Sequence, residues 1–153
     1  ERVNVSDIVD DSLSLIRPVL RKSSFNLIHE TKSDIYIMAD RDKLKQVIIN
    51  VFMNGIEAME YKRAALENCP ELTLIVRITE ASGKVYIVIR DEGIGMTESE
   101  LAACRDPFFS TKKAGTGLGL ALCEQYIREN NGAMQIDSVK NQYTRISLIF
   151  ERS

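Results

Sequence analysis

Residues 44–59 read Leu-Lys-Gln-Val-Ile-Ile-Asn-Val-Phe-Met-Asn-Gly-Ile-Glu-Ala-Met, and two periodicities are superimposed in them. Leu44, Val47, Ile48, Val51, Phe52, Ile56 and Met59 recur at helical spacing and form one apolar stripe, which predicts a helix buried along one side. Asn50 and Asn54 stand four apart, with Glu57 three further on, so these polar groups share a second face at the stripe's edge. Asparagine is a mediocre helix former, so two of them in an apolar helix need a reason. A carboxamide oxygen there can serve a hard cation such as Mg²⁺, which takes a few protein oxygens beside phosphate and water. A solvated outer face is the alternative.

Outward from this helix the chain alternates in kind. Asp40 opens it, and the pattern runs to about Leu66. Upstream, Val5 to Arg21 carries Ile8, Leu13, Leu15, Ile16 and Leu20 at helical spacing, with Ser6 or Asp7 as the expected cap and Pro18 expected to kink or shorten the helix. Two short strands, residues 25–31 and 34–38, are expected between the helices as a pair. Downstream, 72–79 and 84–90 read as a hairpin about Ser82-Gly83. A short helix follows Thr97, capped by it, with Glu98 and Glu100 in its first turn. A loop covers 104–116, a helix 117–130 stops at Asn131-Gly132, and two strands (133–138 and 144–150) close the chain about Lys140-Asn141. The sum is an α+β domain with helices over one face of a mostly antiparallel sheet.

Bulk properties narrow the function. The chain has 153 residues, 44% hydrophobic and 27% charged, which is one ordinary globular domain. Twenty basic and 22 acidic residues leave a net charge of −2, giving no footprint for nucleic acid or an anionic membrane. Cys69, Cys104 and Cys123 are widely spaced and odd in number, so neither a zinc site nor a disulfide framework is expected, and reduced thiols are. No apolar run approaches the ~20 residues that span a bilayer. Glu1 rather than Met opens the chain, and a piece of a longer protein is expected.

Two further segments carry chemistry. Asp91-Glu92-Gly93-Ile94-Gly95-Met96 follows a strand; its glycines let backbone turn and approach a ligand, and Asp91 can accept from the amino group of a base. A strand-to-turn junction alone uses the same residues. Gly115-Thr116-Gly117-Leu118-Gly119-Leu120-Ala121 joins a polar loop to a helix, where unpaired N–H groups and the helix dipole suit an anion. It is neither a Walker loop nor a Rossmann fingerprint.

Taken together, these segments resemble the ATP-binding domain of sensor histidine kinases, in the superfamily that includes DNA gyrase and the mismatch-repair ATPases. LKQVIINVFMNGIEAM is similar to the N box, DEGIGM to the first glycine box, PFFSTK to the F box and GTGLGLA to the second glycine box. Their order and spacing cover nearly the whole chain, and the PFFSTK form resembles nitrogen-regulator and sporulation-type kinases. The resemblance implies a Bergerat fold over residues 1–153, an α/β sandwich with three main helices on one face of a mixed, mostly antiparallel sheet. It implies ATP and Mg²⁺ as cofactors. Asp91 would bind the adenine amino group beside Gly93, Gly95 and Met96. Asn54 would ligate Mg²⁺, supported by Asn50, with Glu57 acting through the metal's water. Residues 107–117 would form a lid with Phe108 and Phe109 as its apolar anchors and Lys112 neutralising phosphate charge; Gly115, Gly117 and Gly119 would supply backbone contacts, and Thr111, Thr116 and Leu118 would also line the nucleotide site.

Asn50 then separates activities. Hydrolytic members of the superfamily place a water-activating glutamate there, and Asn50 cannot act as a base, which favours transfer to an external nucleophile. The resemblance implies a protein histidine kinase whose acceptor histidine sits on a dimerisation domain outside this chain, served by a downstream response regulator. It also implies a cytoplasmic domain free of nucleic-acid and membrane contact, with a parent that can be membrane-anchored. A hydrolytic ATPase of the superfamily, or a regulatory module that holds nucleotide without chemistry, is the alternative. His29-Glu30 superficially matches the acceptor motif, but it lies in a strand-like stretch and is read as a surface histidine. Two departures stand out: Glu129-Asn130-Asn131-Gly132-Ala133 in place of the usual His-Gly-Gly, and Glu92 where Asn is frequent, read as too far out to matter.

Overall fold

The computed structural model describes residues 1–106 and 119–153. Its elements are β1 (Arg2–Asn4), α1 (Val5–Lys22), β2 (Asn26–Glu30), β3 (Tyr36–Met38), α2 (Arg41–Ala65), β4 (Thr73–Ala81), β5 (Lys84–Asp91), α3 (Glu98–Ala103), α4 (Gly119–Glu129), β6 (Ala133–Val139) and β7 (Tyr143–Glu151). Five strands form one sheet in the order β2-β4-β5-β7-β6, with only β2–β4 parallel. The long helix α2 packs against both α1 and α4, and the three bury their apolar stripes with Leu74, Val76, Ile87, Ile89 and Leu148 of the sheet. This is the expected α+β sandwich. No helix among the described residues is long and apolar enough to cross a membrane.

Where one segment decides the outcome, the structure follows the local signals of the sequence. All seven residues of the α2 stripe are buried, and Asp40 caps the helix by accepting from the Lys43 N–H at 3.1 Å. Ser82 (φ 52°) and Gly83 (φ 77°) both take left-handed backbone, the geometry that a two-residue hairpin requires. Thr97 and Glu100 form a reciprocal capping box at α3.

Four expectations are corrected. Asn4, not Ser6 or Asp7, caps α1, its side chain accepting from both their amides. Pro18 does not end α1, which runs on to Lys22; the turn comes instead at Ser24, in left-handed backbone at φ 57°. The strands near 25–31 and 34–38 do not pair with each other. β3 pairs with the unanticipated β1, and β2 crosses over to lie parallel to β4. His29 is not a plain surface residue: it lies on the edge strand β2 with its side chain only 19% exposed.

Candidate functional site

The site grows from the crossing of α2 over the end of β5. A glycine inside a helix costs about 1 kcal/mol relative to alanine, so Gly55 needs a reason, and Asp91 supplies it. A Cβ on Gly55 would lie 3.1 Å from the Asp91 Cβ and 3.3 Å from its Oδ2. Gly55 thus lets the helix pass directly over the carboxylate at the strand's end. Asp91 is only 6% exposed, a costly place for a charge unless it is hydrogen-bonded. The Gly93 N–H donates to its Oδ1 at 2.9 Å.

The turn after Asp91 is held from two sides. Against α2, a Cβ on Gly93 would sit 2.6 Å from the Ala58 carbonyl carbon and 2.7 Å from Asp91 Oδ1, and the Ile94 N–H donates to the Ala58 carbonyl at 3.0 Å. Against the β6–β7 turn, Gly95 adopts φ 65°, and a Cβ there would come 2.1 Å from the Val139 carbonyl oxygen. The Asn141 N–H donates to the Ile94 carbonyl, and the Met96 N–H to Ser138 Oγ at 2.8 Å. Lys140 reaches Glu100 at 3.2 Å. The Thr97 N–H is the largest influence holding the Glu100 carboxyl below its ordinary range; burial opposes it and Lys140 adds to it.

The amide face of α2 meets α4. Burial pushes the Cys123 thiol up to about 11, with the neighbouring Asn50 side chain pulling the other way. A Cβ on Gly119, the first residue of α4, would approach Asn54 Nδ2 to 3.9 Å. Asn50, Asn54 and Glu57 are all half-buried. One stretch of α2 therefore joins two clusters, the amides facing α4 and the carboxylate turn 91–96. Of the expected site residues, Asn50, Asn54, Glu57, Asp91, Gly93, Gly95, Met96 and Gly119 are brought to this stretch or the turn beside it. Phe108, Phe109, Thr111, Lys112, Gly115, Thr116, Gly117 and Leu118 lie outside the described residues.

Several contributors were missed. Gly55 carried a legible signal as a glycine in a helix interior. Ser138 and Cys123 carried none, since their roles depend on long-range packing. Glu92 does matter: its Oε1 accepts from the Thr73 N–H at 2.9 Å while Arg90 stands 3.8 Å from its other oxygen, tying β4 to the turn.

Residues 39–153 match the family model described as histidine kinase-, DNA gyrase B- and HSP90-like ATPase. The sensor histidine kinase ZraS of Salmonella typhi is 31% identical over 144 residues, covering 93% of this chain and 29% of that protein. Sporulation kinase A of Bacillus subtilis is 34% identical over 121 residues, covering 79% and 18%. The chain thus spans less than a third of either relative. Among solved structures, the nucleotide-free catalytic domain of the histidine kinase ThkA superposes with a TM-score of 0.84 at 25% identity, covering 99% of this chain and 95% of that one. ThkA in complex with the response regulator protein TrrA gives a TM-score of 0.81 at 21% identity, covering 100% and 42%.

Proposed function

The chain belongs to the histidine kinase-, DNA gyrase B- and HSP90-like ATPase family, and on that premise we propose that it is the catalytic domain of a two-component sensor kinase. It binds Mg·ATP and transfers the γ-phosphoryl group to a histidine on a separate dimerisation domain. The whole of residues 1–153 serves as this domain, acting in the cytoplasm, and the phosphohistidine it generates on the dimerisation domain supplies a response regulator, a partnership of the kind seen in the ThkA–TrrA complex.

The cradle suits the nucleotide. Gly55 and Gly93 leave room around the Asp91 carboxylate that any larger side chain would fill, and that carboxylate is the acceptor for the exocyclic amino group of adenine. Asn54 offers a carboxamide oxygen suited to Mg²⁺, with Glu57 one turn along to hold the metal's water. Bound there, Mg²⁺ would offset phosphate charge. Lys112 adds a further cation for the phosphates.

One observation carries transfer over hydrolysis. The residue one turn before Asn54 is Asn50, a carboxamide, and the buried Cys123 thiol beside it stays protonated far above neutral pH. Neither member of that pair can take a proton from water. A neutral imidazole needs no such base: its nitrogen forms the bond to the γ-phosphorus as the bond to the β-bridging oxygen breaks and ADP leaves. The domain's own contribution is positioning and charge compensation.

The test mixes this domain, γ-labelled Mg·ATP and a candidate dimerisation domain. Acid-labile label on the dimerisation domain is expected, with this chain unlabelled. Steady release of free phosphate by the domain alone at a comparable rate would sink the reading in favour of an ATPase.

A further inference from the structure

Three strands bring a polar row to the end of an apolar one. Ile89, Ile146 and Ile136 are register partners across β5, β7 and β6, and two residues further on so are Asp91, Thr144 and Ser138. By strand alternation both rows share the helix-covered face. Directly opposed residues place their Cβ atoms about 5 Å apart, so the Thr144 and Asp91 side chains are neighbours on this face.

The protons in this row can be assigned from Ser138. Its Oγ lies 2.8 Å from the Met96 amide nitrogen, 2.8 Å from the Tyr143 carbonyl oxygen and 2.8 Å from Thr144 Oγ1. A carbonyl only accepts and an amide N–H only donates. The single Ser138 proton therefore goes to Tyr143, and Ser138 must accept from both Met96 and the Thr144 hydroxyl. Thr144 has one proton, and it points away from Asp91. What Thr144 presents beside the carboxylate is lone pairs.

We propose that Ser138 is a specificity-determining positioning residue for the purine base. By holding the Thr144 hydroxyl as an acceptor next to Asp91, it makes that end of the pocket an acceptor-only edge. A purine with a 6-amino group can donate to such an edge. A purine with a 6-oxo group meets lone pairs with a lone pair and loses its hydrogen bond to water without replacement. This inference rests on the nucleotide-binding reading above.

The experiment measures Kd for Mg·ATP and for Mg·inosine triphosphate, its 6-oxo analogue, by calorimetry. Wild type is expected to prefer ATP. Ser138→Ala frees the Thr144 proton to turn toward the base and narrows the preference by about tenfold, chiefly by tightening the oxo nucleotide. Thr144→Val narrows it from the other side, weakening ATP with little effect on the oxo nucleotide. Ser138→Thr, which keeps the hydroxyl, retains the wild-type ratio. A merely structural Ser138 would weaken both nucleotides in proportion. An unchanged ratio in Ser138→Ala, or in Thr144→Val should the first variant not fold, overturns the proposal while leaving ATP binding intact. A wild type that bound neither nucleotide would bring down the parent reading as well.

Discussion

Gly93 donates its N–H to Asp91 Oδ1 at 2.9 Å, yet a Cβ on Gly93 would stand 2.7 Å from that same oxygen. The two residues fit only because one has no side chain. Gly93→Ala would also press on the Ala58 carbonyl carbon at 2.6 Å, backbone that cannot swing aside. The turn must shift, at a cost of about 1–3 kcal/mol, and the Asp91 carboxylate shifts with it. Urea unfolding together with nucleotide titration checks this. A variant with full stability and full ATP affinity would show the contact to be looser than it is here.

Asp91→Asn keeps size and shape but exchanges one acceptor oxygen for a donor. The Gly93 N–H then faces either the remaining oxygen or a mismatched NH₂, and the bond to the base loses its charge assistance. Affinity for ATP should fall by about ten- to a hundredfold, given the strength of hydrogen bonds to charged groups. Calorimetry in the presence of Mg²⁺ reads it directly, and unchanged affinity would refute the adenine assignment.

How far sequence alone reached depends on the range of the deciding interactions. The α2 stripe, the Asp40 cap, the Thr97–Glu100 box and the Ser82-Gly83 turn are each settled within one or two turns of chain, and all were legible. The amide face and the carboxylate turn were legible as places in the fold, because residue type and spacing set the first on one side of α2 and the second at a strand's end. Partner choice was not. Residues 26–30 pair in parallel with β4 across the intervening α2, and nothing in either strand's composition names the other. The Asn4 cap was hidden for the same reason, since it exists only once the three-residue β1 pairs with β3. Ser138 reads as one polar residue in a strand until register sets it opposite Thr144 and the turn delivers the Met96 amide to it.

Cys123 is buried and its thiol is pushed up to about 11, raised first by burial, with the Asn50 side chain pulling the other way. At pH 8 its thiolate fraction is about 10⁻³, and thiolate is the reactive form. Iodoacetamide should therefore label the half-buried Cys69 first and reach Cys104 and Cys123 only on unfolding. The folded value exceeds the unfolded value of about 8.5, so the stabilising contribution is complete below that pH and lost as pH rises toward 11. Cys123→Ala should flatten this alkaline slope in urea midpoints. Fast labelling of Cys123 in the folded protein at pH 8 would contradict its burial.

His29 presents a buried Nε2 that has no hydrogen-bond partner among the described residues, with Asp10 Oδ1 at 3.5 Å. Replacing such a group by an apolar one of similar volume is neutral or favourable, so His29→Leu should hold or raise stability by up to about 1 kcal/mol. Asp10 is 57% exposed, and Asp10→Asn should cost under about 1 kcal/mol. Chemical denaturation of both variants checks the pair. A large loss in His29→Leu would mean that the imidazole makes a bond that stabilises β2 against α1.

The stop of α4 divides two adjacent positions by different physics. Asn131 adopts φ 59°, and its N–H donates to the Arg128 carbonyl at 3.0 Å, while the Gly132 N–H donates to the Ile127 carbonyl at 2.9 Å. The left-handed residue is thus the asparagine, which tolerates that backbone better than most, and the lone glycine follows it. Gly132 is needed for space instead: a Cβ there would lie 2.8 Å from the Ile149 carbonyl oxygen and 2.8 Å from the Phe150 ring. Asn131→Gly should therefore stabilise by about 0.5 kcal/mol through relief of backbone strain. Gly132→Ala should destabilise by about 2 kcal/mol through overpacking against a β7 strand that cannot retreat. Neither residue belongs to the carboxylate turn or the amide face, so ATP affinity should be unchanged in both. Thermal unfolding of the two variants side by side decides it, and a mild Gly132→Ala beside a costly Asn131→Gly would reverse the assignment.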